Sequence, residues 1–185
     1  MKKLLQRLTL LTGCLFATLA VAQQKLIPAQ SDIGFSIKQM GVPVDGKFTK
    51  FDAQIAFDPK KPEVAKIAFT IDLGSAVVGD AETIKELKKP EWFNSIKFPS
   101  ATFTSTTIKA IGHSKFEVSG NLSIKGVAKP VLIPVTLSKG GTGTIADGSF
   151  GIKRADFKIG EGDWSDFSIV ANDVQVKFKL SLSGV

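Results

Sequence analysis

Histidine occurs once in the 185-residue chain, at His113, and cysteine once, at Cys14. A Ser-His-acid relay would have to be built around that one imidazole, and a three- or four-ligand zinc site cannot be assembled from it. His113 stands in Gly112-His113-Ser114, which reads as a hairpin tip, so an exposed turn histidine is the simpler reading. Glu161, Asp163, Asp166 and Asp173 could offer carboxylate oxygens to calcium, but the run Glu-Gly-Asp-Trp-Ser-Asp fits no EF-hand register. Gly140-Gly141-Thr142-Gly143 lacks the helix and lysine of a phosphate loop and reads as a flexible connection. No nucleophile-base pair is visible. The residue types therefore argue against an enzyme and against a metal site, and no cofactor is expected.

Arg154 is the more informative charge. Phe150, Ile152 and Arg154 share one strand face, whereas Ala155, Phe157 and Ile159 share the other. Either a bulge switches the phase near Arg154, or a guanidinium points inward among apolar groups. An inward guanidinium needs a partner: Asp156 or Glu161 in an ion pair, or the anionic head of a ligand. Arg154, with Lys153 beside it, is the head-group candidate.

These residues must be positioned by strands. Lys115 to Leu137 sets the pattern: Phe116, Val118, Gly120, Leu122 and Ile124 fall on one face, with polar residues between them. After a Lys125-Gly126 turn, Val131, Ile133, Val135 and Leu137 resume the alternation. Pro134 lies on the opposite face, where a missing N–H suggests an edge or a bulge. The same two-residue period marks strands over about 25–38, from Val42 to Phe48, from Phe51 to Phe57, from Lys66 to Leu73, from Ala101, from about Ser149 to Ile159, and from Val174 to Leu182. Ile108 is out of phase with Phe103, which places a bulge near Thr106-Thr107. Thr83 to Lys89 reads as a short helix stopped by Pro90. In Glu91-Trp92-Phe93-Asn94, one aromatic is expected to plug the interior and the other to pack beneath that helix.

Short links between successive strands favour an up-and-down arrangement. Eight or nine such strands can close into a barrel, which removes exposed sheet edges, although a sandwich satisfies the same pattern. Inward Phe35, Phe69, Phe103 and Phe116, with small Ala53, Ala101, Ser105 and Gly120, suggest an apolar interior with room for one ligand. The alternative is a barrel filled by its own side chains.

At the amino terminus, Lys2, Lys3 and Arg7 precede an apolar run from Leu8 to Ala20, and Ala20-Val21-Ala22 is a small-x-small cleavage site. Residues 1–22 read as a secretory signal peptide that is removed, leaving a domain over 24–183. An uncleaved membrane anchor is the alternative. Leu11-Thr12-Gly13-Cys14 is similar to a lipoprotein cleavage box, but the apolar run continues past Cys14, which argues against lipid anchoring there. Without residues 1–22 the formal charge falls from +7 to +4, and the lysines lie along outward strand faces. That is a solubility pattern and not a nucleic-acid footprint. The mature chain would have no cysteine, hence no disulfide.

The chain resembles the YceI-like family of periplasmic lipid- and polyisoprenoid-binding proteins, over about Lys25 to Ser183. The matching stretches are Ser31 to Ile37, Gly46-Lys47-Phe48 with Phe51 and Phe57-Asp58-Pro59, Glu91-Trp92-Phe93-Asn94 with Phe98 to Ser105, Gly120 to Val131, and Ile152 to Phe157. The resemblance implies an all-β, extended antiparallel eight-stranded β-barrel, lipocalin-like, with a short helical insertion around residues 80–90. It implies a periplasmic, non-enzymatic protein that carries or sequesters a polyisoprenoid, quinone or fatty chain. The apolar lining would come from Phe35, Phe69, Trp92, Phe93, Phe103, Phe116, Val118, Gly120 and Phe150. Many members carry an arginine-aspartate pair and a histidine before a Phe-Phe segment; here that region reads Glu82-Thr83-Ile84-Lys85-Glu86-Leu87, and Trp92 replaces the first Phe. Gly160 to Trp164 is similar to a subgroup with a Gly-Glu-Gly-Asp-Trp segment. A transient membrane-surface contact and a homodimer stay open. A structural or interaction protein docking a membrane redox complex, with no bound lipid, is the competing function.

Overall fold

Alternating apolar and polar residues give the backbone one solution here, a sheet with a greasy side, and the sheet closes on itself. The computed structural model describes residues 24–141 and 143–185. The proposed signal peptide, with Cys14, lies outside them. The strands are β1 (Lys25–Leu26), β2 (Asp32–Gln39), β3 (Val42–Phe48), β4 (Phe51–Ala56), β5 (Lys66–Asp72) and β6 (Ala76–Val78). They are followed by β7 (Ser100–Gly112), β8 (Lys115–Ile124), β9 (Val127–Gly140), β10 (Gly143–Lys153) and β11 (Val170–Ser183). One α-helix, α1 (Ala81–Leu87), stands between β6 and β7.

All pairings are antiparallel. The order β1-β4-β5-β7-β8-β9-β10-β11 returns to β1, so eight strands close a ring. The other three lengthen its wall at one end. β2 continues from β1 along β11, β3 pairs with β2 and runs into β4, and β6 pairs with β3 and runs out of β5. The first strand, expected unbroken over about 25–38, is thus two pieces separated by a 3-10 turn at Pro28–Gln30. The eight-stranded, up-and-down expectation holds. The bulge expected near Thr106-Thr107 is present as a register shift between Ser105 and Thr107.

At the extended end the ring is not fully paired. β10 pairs with β9 only from Val135 to Gly140, so Pro134 sits where β9 parts from β10, as its missing donor requires. β7 begins at Ser100, opposite Asp72, and leaves β6 without a partner on that side. Helix α1 and residues 88–99 stand beside that gap. Asp80 caps the helix, accepting from the Thr83 N–H (2.9 Å) and its hydroxyl (3.0 Å). These bonds, the backbone one foremost, hold the Asp80 carboxyl below the usual carboxylate range. Pro90 prevents continuation, and Phe93 N–H donates to the Leu87 carbonyl (3.0 Å), folding the chain back so that Trp92 and Phe93 are both buried.

The expected strand from Ser149 to Ile159 is corrected. β10 ends at Lys153, and Arg154–Phe157 form a 3-10 turn. The phase change across Arg154 is the end of the strand, and not a bulge within it.

Candidate functional site

The inward faces line two adjacent chambers. A narrow one of about 140 Å³ lies within the fully closed ring, and its lining is apolar throughout: Phe57, Phe69, Phe103, Phe116, Val118, Ile133 and their neighbours. A wider one of about 410 Å³ lies at the extended end, a size in the usual range for ligand sites. Ile33, Ile71, Leu122, Phe150 and Val176 line both and form the waist between them. The wide chamber reaches the surface beside Gln39, Glu82 and Thr83, which are exposed residues of its lining.

The sequence-derived lining residues fall as follows. Phe69, Phe103, Phe116 and Val118 line the narrow chamber, Phe35, Trp92 and Phe93 the wide one, and Phe150 the waist. Trp92 and Phe93, expected on different sides, are on the same chamber wall. Phe93 packs on Phe48 (centroids 6.1 Å), and Trp92 on Trp164 (5.4 Å). Gly120 is a correction. It lines neither chamber, because a Cβ there would lie 2.5 Å from the Phe103 ring and 2.5 Å from the Thr104 carbonyl oxygen. The room it leaves is taken by Phe103. Of the other small residues, Ala101 lines the wide chamber, whereas Ser105 is buried and its hydroxyl accepts from Ile67 N–H (2.9 Å).

Both head-group candidates are also corrected. Lys153 points away from the lumen and approaches Asp173 at 3.7 Å on the exterior. Arg154 is only 1 % exposed and borders the wide chamber. It pairs with neither Asp156 nor Glu161. Its five N–H groups donate to the carbonyls of Ala171 (3.1 Å), Ile159 (2.9 Å), Gly160 (2.8 Å), Trp164 (2.6 Å) and Val170 (2.8 Å). A guanidinium has five N–H donors, so none is left for a ligand. Burial pushes its pKa below the usual guanidinium value. The carbonyl dipoles supply the compensation that a buried cation requires.

Gly160 makes this arrangement possible. Its φ is +74°, and a Cβ there would lie 2.1 Å from Arg154 Nη1. Glycine is needed for the backbone and for the close approach. Gly160 and Glu161 N–H both donate to the Glu91 carbonyl (2.7 and 3.0 Å), which ties this loop to the Trp92-Phe93 segment. Arg154 also lies over the rings of Phe167 (5.2 Å) and Trp92 (5.9 Å). From the β8–β9 turn, buried Lys125 donates to the Lys158 carbonyl (2.5 Å) and to the Glu161 carboxylate (2.8 Å). The two cations are struts that hold the end of the barrel in shape.

Sequence reasoning missed Lys125, whose partner is 36 residues away, and missed the polar lining Gln39, Glu82, Thr83 and Glu86. The spacing of Glu82 and Glu86 on one helix face was the available signal for the latter. His113 is exposed in its turn, as expected. Among the described residues no group of three or more His, Cys, Asp or Glu side chains is placed to hold a metal, and no helix is long and apolar enough to cross a membrane.

Comparison with known proteins gives a consistent assignment. The crystal structure of Burkholderia cenocepacia BcnA superposes with a TM-score of 0.81 at 40 % identity, covering 85 % of this chain and 99 % of that one. A Campylobacter jejuni YceI protein gives 0.66 at 26 % identity, over 75 % and 84 %. A polyisoprenoid-binding domain from Saccharophagus degradans gives 0.70 at 18 % identity, over 86 % and 97 %, a likeness of fold alone. Protein YceI of Salmonella arizonae is 35 % identical over 195 residues, spanning 100 % of this chain and 98 % of the relative. The family model for the YceI-like domain matches residues 25–182, so the chain belongs to the YceI-like family.

Proposed function

We propose that this protein is a non-enzymatic, periplasmic binding protein that carries or sequesters a long apolar chain in its barrel, of polyisoprenoid, quinone or fatty type. The observation that carries this reading is the lumen: an apolar narrow chamber that shares five wall residues with a wide one reaching solvent. A tail threaded through both is stripped of water along its length. Each buried methylene contributes about 0.8 kcal/mol before ordering costs, so a tail of about fifteen to twenty carbons leaves enough for micromolar affinity after an association cost of about 4 kcal/mol or more. The polyisoprenoid-binding name of the Saccharophagus neighbour supports the ligand class through fold alone, and residues 1–22 support export. The competing reading, a solid-cored protein that docks a membrane redox complex, would need a filled lumen.

The mouth has features of a membrane-facing end. Met40 is 77 % exposed at the β2–β3 tip, joined through its N–H to the Ile169 carbonyl (2.7 Å), and Val42, Phe167 and Ile169 are exposed too. Met40 (φ +49°) and Gly41 (φ +82°) form a left-handed two-residue turn that asparagine-glycine would suit better. The backbone thus accepts a cost to project an apolar side chain beside the mouth. A transient contact through which a lipid enters would use it.

Native mass spectrometry with lipid extraction of gently purified protein, followed by tryptophan-quench titration with isoprenoids, tests the proposal. A bound long-chain lipid, or saturable quenching, supports it. Protein that is empty and indifferent to every added chain would overturn it.

A further inference from the structure

The lumen has a charge preference set by which side chains line it and which of those have donors to offer. Among the described residues, three charged ones line the wide chamber: Glu82, Glu86 and Arg154. The cation is fully engaged, all five of its N–H groups being donated to backbone carbonyls. The other lysines of this end do not line the chamber. Lys125 holds the Lys158 carbonyl and Glu161, Lys153 faces Asp173 outside, and Lys89 reaches Glu86 at 2.5 Å from the exterior. Glu86 is thus already paired with Lys89, and Glu82 is the carboxylate whose charge a ligand entering the mouth meets first. The two carboxylates sit one turn apart on α1, on the same helix face, with Thr83 between them and Gln39 on the facing hairpin. Deeper in, the wide chamber is bordered by Trp92, whose indole N–H is the buried side-chain donor with no acceptor among the described residues.

A phosphate or carboxylate head at this mouth finds no lining cation with a donor to spare and is brought against like charge in a partly dehydrated site, where repulsion is stronger than in water. Its oxygens would compete with those of Glu82 and Glu86 for too few donors. A hydroxyl or an ammonium instead donates to a carboxylate in a charge-assisted hydrogen bond. A hydroxyl can also accept, from Gln39 or from Trp92 after a small tilt of the indole.

We infer that the mouth selects long-chain ligands whose head group is not anionic and donates hydrogen bonds, a primary alcohol or a primary amine, over the same tail ending in phosphate or carboxylate. This selectivity rests on the lipid-binding reading above and names the class of lipid that the site takes.

The test holds the tail constant. Farnesol, farnesylamine, farnesoic acid and farnesyl phosphate are titrated into the mature protein by tryptophan quenching at low ionic strength. Their partition into neutral detergent micelles is measured as the reference for tail solubility. After that correction, the alcohol and the amine bind at least about tenfold tighter than the phosphate and the acid. In Glu82→Gln/Glu86→Gln the gap closes to within about threefold, chiefly through tighter phosphate binding, and in wild type added salt narrows it. Should the double variant fold poorly, Glu82→Gln alone must still move the phosphate affinity in the same direction. Phosphate binding as tight as the alcohol, or a gap that survives both neutralisation and salt, overturns the inference while leaving lipid binding intact. If none of the four ligands binds, the lipid-binding reading itself falls, and this inference with it.

Discussion

Replacing Arg154 by alanine should unfold the protein more readily and should do so whether or not a ligand is present. The structure supplies the magnitude. The side chain is 1 % exposed and donates to five carbonyls between Ile159 and Ala171. Its removal leaves those largely buried oxygens without their donor and takes away the surface on which the Trp92 and Phe167 rings rest. Breaking a buried charged network by removing one partner costs about 3–5 kcal/mol. For a chain of this size each kcal/mol moves the melting temperature by about 2–4 °C, so a fall of about 10 °C is expected. Arg154→Lys separates the two roles open to this residue. Lysine keeps the charge but brings three donors to five acceptors and cannot form a fork. If Arg154 is a strut, Arg154→Lys recovers less than half of the lost stability. If it anchors an anionic head group, Arg154→Lys melts like wild type and retains affinity for anionic lipids. Thermal and urea unfolding by circular dichroism, run beside quench titrations of both variants, give the answer. Arg154→Ala melting within about 2 °C of wild type while losing ligand would refute the reasoning.

Gly160→Ala attacks the same cage from the backbone: its φ of +74° disfavours a side chain, and the added methyl meets Arg154 Nη1. A loss of about 2–4 kcal/mol in urea unfolding is expected, and a neutral result would mean that the carbonyl cage is dispensable. Val176→Phe narrows the waist shared by the two chambers. It should weaken solanesol by about tenfold and leave geraniol, which fits the wide chamber, nearly unaffected; equal effects on both would count against a threaded tail. Met40→Asn relieves the left-handed turn and should hold or raise stability by about 1 kcal/mol. It should also slow the transfer of a fluorescent isoprenoid from phospholipid vesicles, and unchanged transfer would remove Met40 from the membrane-facing end.

The strands were legible because period-two alternation is a local signal, repeated in the register of every long hairpin. Even the β7 bulge showed, as the phase slip between Phe103 and Ile108, and Pro134 announced the parting of β9 from β10. The break at Pro28–Gln30 had a signal in Pro28, which lacks a ladder donor and starts a 3-10 turn, but the alternation that resumes at Ile33 masked it. The site was less legible for another reason. Arg154 reads from sequence either as a bulge or as an inward cation in need of partners, but a sequence search for partners looks for carboxylates, and backbone carbonyls carry no letter. Five of them converge only after the loop has turned at Lys158 and Gly160. Lys125 was hidden similarly, read as a turn residue when its side chain reaches across to Glu161.

Gly120 points to a more general feature of the barrel. Fourteen phenylalanines in a chain of 185 could have filled the lumen, and small inward residues looked like the means of keeping it open. The structure uses glycine differently. A Cβ at Gly46 would lie 2.3 Å from the Phe35 ring, one at Gly120 2.5 Å from Phe103, and one at Gly148 2.6 Å from Phe178. Gly46 faces Phe35 directly across a strand pair, as Gly148 faces Phe178. Each ring lies down on the bare backbone of its neighbour instead of standing up into the centre. The glycine is covered, which offsets its weakness in a strand, and the phenylalanine buries one face on the wall while the other lines the cavity. Aromatic lining and empty space are thereby obtained from the same pair of residues. The wall is stabilised without a ligand, and a flat apolar surface is already in place for one.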